Sequence, residues 1–330
     1  MKSDFVIENI RASVGERAQG FITVDESAAG IRTRIPIILL NGAHEGPTLM
    51  IASGVHGDDL NTIPMVWRIA ESIDLATLYG QVIAAPIINP LAFEAGTHLT
   101  PTDHSSPVFP GDAAGTISQR IGHHIYNKLV VQADYVIDMH GGSKNATLAT
   151  LAHIDGGCKP EIFAKAQDMA TAFQPQLIVV QESKPGSQPR GLAQAACRRE
   201  AVGIYVGLGQ MGFNEQDTVR GTAGVLNVMR HIKMLPGEPS PVTTPPHITY
   251  TELYQKTGYG GGFFPAVSAG QEVNVGDLLG TVFDVFGQPK AQIKAEVAGI
   301  VDAIRFYPVV AAGDWVASIA RWESVYENRA

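Results

Sequence analysis

Cysteine is scarce in this chain. Only Cys158 and Cys197 occur in 330 residues, 39 positions apart. That spacing excludes a Cys-x-x-Cys metal or redox motif, and two reduced thiols in a cytoplasmic protein are expected. Long apolar runs are also missing. IPIILL and VIAAPII are too short and too interrupted to span a bilayer. The opening MKSDFVIENIRASVGERAQG has no apolar core of the kind a signal peptide carries. Positive charge is in deficit: 24 Lys+Arg stand against 32 Asp+Glu, a net charge of −8. A balance of that sign argues against nucleic acid or an anionic membrane as partner. A homo-oligomer stays open.

Core-forming material is plentiful, with 45% hydrophobic and 17% charged residues. The length predicts one large domain plus a smaller one. Up to about residue 45, short strands and turns are expected: FVIENI, GFITV and TRIPIILL, forming an N-terminal β segment packed on the main domain. From about 46 to 236 strands and helices alternate. LMIASG (49–54), QVIAAPII (81–88), DYVIDMH (134–140), QLIVVQ (176–181) and VGIYVG (202–207) read as strands covered on both faces. Ile117, Ile121, Ile125 and Leu129 fall on one helical stripe; 160–173 and 225–235 read as further helices. The alternation predicts an α/β fold, a mainly parallel twisted sheet with helices on both faces.

Proline and small polar residues concentrate in GEPSPVTTPP (237–246), a linker. Beyond it, from 247 to 330, the helix signal vanishes. Gly276-Asp277 and Gly313-Asp314 mark a weak internal repeat, and a small all-β module is expected. It resembles the barrel-sandwich modules that carry lipoyl or biotinyl groups. Lys290 lies near the position of their modified lysine, but lacks an acceptor's neighbours and reads as a solvated turn lysine.

Two clusters carry chemistry. Gly54-Val55-His56-Gly57-Asp58-Asp59 follows the strand LMIAS, and strand C-terminal ends are where α/β sheets gather binding groups. An imidazole at His56 and a carboxylate at Asp59 can face one point. Taken alone, the hexapeptide reads equally as a helix N-cap beside a hydrogen-bonded histidine. Asp138-Met139-His140-Gly141-Gly142 ends another strand, with Asp138 and His140 on one face. His56, Asp59 and His140 together make a sound zinc set with a fourth position open, and Asp138 is placed to orient His140.

From Pro47 to Leu235 the chain resembles the succinylglutamate desuccinylase/aspartoacylase family, a branch of the zinc carboxypeptidase fold. GVHGDD matches its Gly-x-His-Gly-Asp-Glu, and DMHGG its Asp-x-His-x-Gly. Asn89-Pro90 with AFEAGT, Phe109-Pro110-Gly111, Arg190-Gly191 and the closing RGTAGVLNVMRHIKML (220–235) match in order. The resemblance implies hydrolysis of an N-acyl amide with Zn2+ held by His56, Asp59 and His140, and with Asn89, His98 and Arg190 lining the substrate pocket. It also marks departures. The family's proton-shuttling glutamate is matched to Gly207, its substrate-clamping arginine to His98, and its Asn-Arg pair to Ser106-Pro107. The implied substrate is less acidic than succinylglutamate. Glu182, just past a strand, is the first candidate for a relocated base, and Glu200 a weaker one. A non-catalytic zinc-binding relative with a binding or regulatory role is the alternative.

Overall fold

The computed structural model describes residues 2–26, 29–183, 187–189 and 191–322. Six α-helices are present among the described residues: α1 Ile63–Ser72, α2 Pro90–Ala95, α3 Ile117–Lys128, α4 Pro160–Phe173, α5 Leu192–Arg198 and α6 Glu215–His231. Their starts follow local chemistry. Thr116 and Gln119 form a reciprocal capping box at α3, α4 opens on Pro160, and the Asn214 side chain accepts the Gln216 and Asp217 N–H groups at α6.

A 13-stranded sheet runs through the molecule. At its centre Val202–Gly209, Tyr135–Gly141, His44–Ala52 and Tyr79–Ala85 lie parallel, in that spatial order. Four fully buried residues in a row, Leu49 to Ala52, show why these strands read as continuous apolar runs. Leu49 and Ile51 pack with Met65, Met169 and Val225 of α1, α4 and α6, whereas Met50 and Ala52 pack on the other face with Ile121, Ile125 and Leu192 of α3 and α5. Each such aliphatic side chain contributes roughly 2 kcal/mol on burial.

The expectation of a mainly parallel sheet needs correction, because the sheet is mixed. Arg32–Asn41 and Glu16–Glu26 extend it antiparallel on one side. On the other, Ala146–Asp155 runs antiparallel to Val202–Gly209 and is followed by Gly299–Arg305, Trp315–Arg321 and Glu252–Lys256, all antiparallel. Leu177–Gln181 pairs parallel with the second half of Ala146–Asp155. The strand Ala146–Asp155 was not visible as such in the sequence, yet it joins the α/β core to the C-terminal strands.

After residue 247 the described residues contain no helix, and a separate four-stranded antiparallel sheet packs there around Phe263, Leu279 and Val282. The two Gly-Asp pairs make like turns: Gly276 and Gly313 have φ near +93° and +94°, and Asp277 and Asp314 each accept a backbone N–H three residues earlier. Lys290 donates to the Gly260 carbonyl from an exposed position. No helix among the described residues is long and apolar enough to cross a membrane.

Cys158 and Cys197 are bonded to each other, their Cα atoms 5.7 Å apart. The expectation of two reduced thiols is corrected. The turn before α4 and the end of α5 meet at the sheet, a proximity that 39 intervening residues conceal.

Candidate metal site and substrate cavity

Strand register creates the site. Ala52 sits opposite Asp138 in the parallel pair, so the loop leaving the first strand emerges beside the end of the second. The loop turns back against α2, where a Cβ on Gly57 would stand 2.1 Å from the Ala92 carbonyl; only glycine allows that approach. His56, Asp59 and His140 converge as a result.

Their geometry fits a metal ion. The Nδ1 atoms of His56 and His140 are 3.2 Å apart, and Asp59 Oδ2 lies 3.4 and 3.3 Å from them. Donors bonded tetrahedrally at zinc distances stand roughly 3.3–3.6 Å apart. The ring orientation is fixed from behind: His140 Nε2 faces Asp138 Oδ1 at 3.1 Å, so its proton belongs there and Nδ1 keeps a lone pair for the site. Asp138 is held in turn by the Leu192 N–H at the start of α5, and Asp59 by the Gly141 N–H. Burial pushes the Asp59 carboxyl up, but the charges of His140 and His56 outweigh it and hold it well below the usual range. Burial pushes the His140 imidazole down, but Asp138 and Asp59 raise it to about 10. Without an ion, the arrangement therefore draws positive charge to this point as a proton.

Other predicted residues lie elsewhere. Asn89 is buried and fully engaged, capping α2 at Ala92 and donating to Thr100 Oγ1; it does not line the cavity. His98 stacks on His56 at 3.9 Å between centroids, pairs with Asp58 at 2.7 Å, and is not among the residues that line the cavity. Burial raises the Asp58 carboxyl, but this bond and the Lys144 N–H bring it below its ordinary value. Arg190 lies outside the described residues. Glu182 is not brought to the histidines. Gln181 ends the strand facing His153, and the next side chain falls on the opposite side, in a hollow with Cys158, Phe163 and Tyr250. Glu200 forms a surface ion pair with Lys159.

Gly207 needs correction as the position facing the ligands. A Cβ there would meet Leu148, Leu151 and the Tyr205 ring at 3.1–3.2 Å. The side chain of this strand that lies against His140 is Tyr205, stacked on it at 4.5 Å between centroids. Tyr205 and Gly207 share a face, which is why the sequence left the two positions easy to exchange.

The cavity beside the ligands has a volume of about 220 Å³. Ser106 and Pro107 reach it, as do His153, Asp155, Gln181, Gln194 and Tyr205. His153 covers the second face of Tyr205 at 4.7 Å and pairs with Gln181 at 2.8 Å. Burial, then the charge on His140, lowers it to about 3, so it is a neutral imidazole. Behind it stand Glu252, 3.7 Å from Nε2, and Asp302. Burial and mutual repulsion raise Glu252 to about 8, and burial raises Asp302 to about 6. The sequence reading missed this side of the site; HID at the end of Ala146–Asp155, with His153 and Asp155 on one face, was the available signal.

The model of the succinylglutamate desuccinylase/aspartoacylase catalytic domain matches residues 45–232, more than half of the chain. The chain belongs to this family. A curated relative, the N-alpha-acetyl-L-2,4-diaminobutyric acid deacetylase of Halomonas elongata, is 28% identical over 311 residues, covering 91% of this chain and 89% of that one. The fold is shared with a family member from Rhodobacter sphaeroides (TM-score 0.81, 24% identity, 93% and 96% of the two chains). It is shared likewise with a product-bound ectoine utilization protein from Ruegeria pomeroyi (TM-score 0.82, 22% identity, 93% and 95%).

Proposed function

We propose that the chain is a zinc-dependent hydrolase that removes the acyl group from a small N-acylated amine or amino acid. The carrying observation is the set of three donors spaced 3.2–3.4 Å apart at one end of a cavity, with Asp138 fixing the tautomer of His140. When bound, zinc supplies a Lewis acid for the acyl oxygen and lowers the pKa of a water molecule. The protein's own part is positional. Asp59 and the two imidazoles hold the ion, α5 holds Asp138 through Leu192, and the wall of Tyr205 and Pro107 limits what enters beside it. The family relatives, deacylases by name, support the reaction class.

A non-catalytic, zinc-binding relative is the second reading, and one observation favours it. On the strand Val202–Gly209 the side chain that lies against His140 is Tyr205, not a carboxylate, and the acids on the described cavity wall are Asp138, which is engaged behind His140, and Asp155. Metal analysis and a screen of N-acyl amino acids decide between them. The deacylase carries close to one zinc per chain, loses most of it in His140→Ala, and releases free amine from at least one substrate. Zinc without turnover of any substrate would favour the second reading; no zinc would overturn both.

A further inference from the structure

Two polar atoms on the cavity wall are buried without a hydrogen-bond partner, His153 Nε2, which has Glu252 3.7 Å away, and Asp155 Oδ2, which has no such group beside it. Asp155 ends the strand Ala146–Asp155 and is only 4% exposed. Its Oδ1 accepts the Gly157 N–H at 2.9 Å, while Oδ2 is buried and has no hydrogen-bond partner. The Cys158 and Cys197 sulfurs lie within 4.8 Å of the carboxylate, but bonded to each other they have no proton to donate. A carboxylate oxygen taken out of water without a donor is costly, and such a group persists where something else completes it.

Its surroundings say which kind of group that is. Asp155 and His153 point from the same face of their strand, and His153, Tyr205 and His140 stack in one row. The row leads from the ligand corner to Asp155 along a single cavity wall. No lysine or arginine lies among the described residues of that wall, and the Ser106-Pro107 segment on it is uncharged. His153 is neutral and offers no counter-charge. A neutral donor would satisfy the oxygen but leave the charge, whereas an ammonium satisfies both.

Resting on the deacylase reading, we infer that Asp155 is a specificity-determining residue that binds a second, positively charged amino group of the substrate. The preferred substrates are thus N-acyl diamines or N-acyl diamino acids, and anionic side chains are rejected by the same carboxylate.

Three substrates of nearly equal shape test this: Nα-acetyl-L-2,4-diaminobutyrate, its uncharged isostere Nα-acetyl-L-norvaline, and anionic Nα-acetyl-L-glutamate. The wild-type protein should favour the first over the second by at least about tenfold in kcat/KM, with the third slowest. Asp155→Asn should bring the first two within about threefold. Calorimetric binding of the free amines, 2,4-diaminobutyrate against norvaline, gives the same comparison without turnover. Turnover without a preference for the cation would overturn the inference and leave the deacylase intact. No turnover, with a calorimetric preference that Asp155→Asn removes, would overturn the deacylase and leave the cation subsite. If Asp155→Asn fails to fold, equal binding of both amines by the wild-type protein is still enough to refute it.

Discussion

Two walls of one cavity are built on different terms. At the His56, Asp59 and His140 corner the side chains are held from behind: His140 by Asp138, Asp59 by the Gly141 N–H, and the His98 ring that stacks on His56 by Asp58. On the wall carried by Ala146–Asp155, His153 Nε2 and Asp155 Oδ2 are buried without hydrogen-bond partners, and the acids Glu252 and Asp302 crowd behind them. The first wall presents three donors in fixed orientation. The second keeps unpartnered polar atoms on residues that line the cavity. A pre-organised centre paired with an unsatisfied wall is the arrangement of a site whose reaction is fixed locally and whose selectivity comes from its ligand.

The comparison breaks most visibly at the strand that separates the walls. Gly207→Glu would force a carboxylate between Leu148, Leu151 and Tyr205, and should destabilise the fold by on the order of 3–5 kcal/mol. Tyr205→Glu places the same group against His140 and should cost clearly less. Denaturant unfolding of the two variants checks this, and equal losses would contradict the assignment of position 205 to the site.

A smaller effect sharpens the second wall. Glu252 and Asp302 keep their protons to higher pH when folded than when unfolded. The pair therefore contributes stability that is fully present below about pH 4 and is lost as pH rises toward 8. Between pH 5 and 8 the loss should be on the order of 3 kcal/mol in the wild-type protein and less than half of that in Glu252→Gln. Urea unfolding at the two pH values measures it, and a wild-type profile no steeper than the variant's would remove the pair from the account.

The first wall is probed by Asp138→Asn, which keeps the shape and removes the charge behind His140. Zinc affinity should fall by about 10- to 100-fold, read by competition with a chelator. An unchanged affinity would mean that Asp138 only fills space.

These walls also differed in how far the sequence disclosed them. His56, Asp59, Asp138 and His140 sit at the ends of two strongly apolar strands, and the parallel register that joins those strands follows from their alternation with helices. Periodicity revealed α6 only from Val225, and Arg220 to Gly224 were legible only through the family match, for a physical reason: the buried residues there, with Thr218 before them, are Gly221, Thr222 and Gly224, small groups that let Met65 and Phe173 approach but carry no apolar periodicity. Asp155 and Glu252 depend on antiparallel pairings between separated segments, Leu148 with Ala303 and Glu252 with Ala320, which no local pattern encodes. Tyr205 and Gly207 could be exchanged because a strand puts both on one face.

The central claim, a zinc ion shared by His56, Asp59 and His140 in a working deacylase, is tested most directly by anomalous diffraction at the zinc edge on crystals of the purified protein. One strong peak is expected about 2.0–2.2 Å from both Nδ1 atoms and an Asp59 carboxylate oxygen. No peak there, or a peak beside Asp155, Cys158 and Cys197 instead, would contradict it.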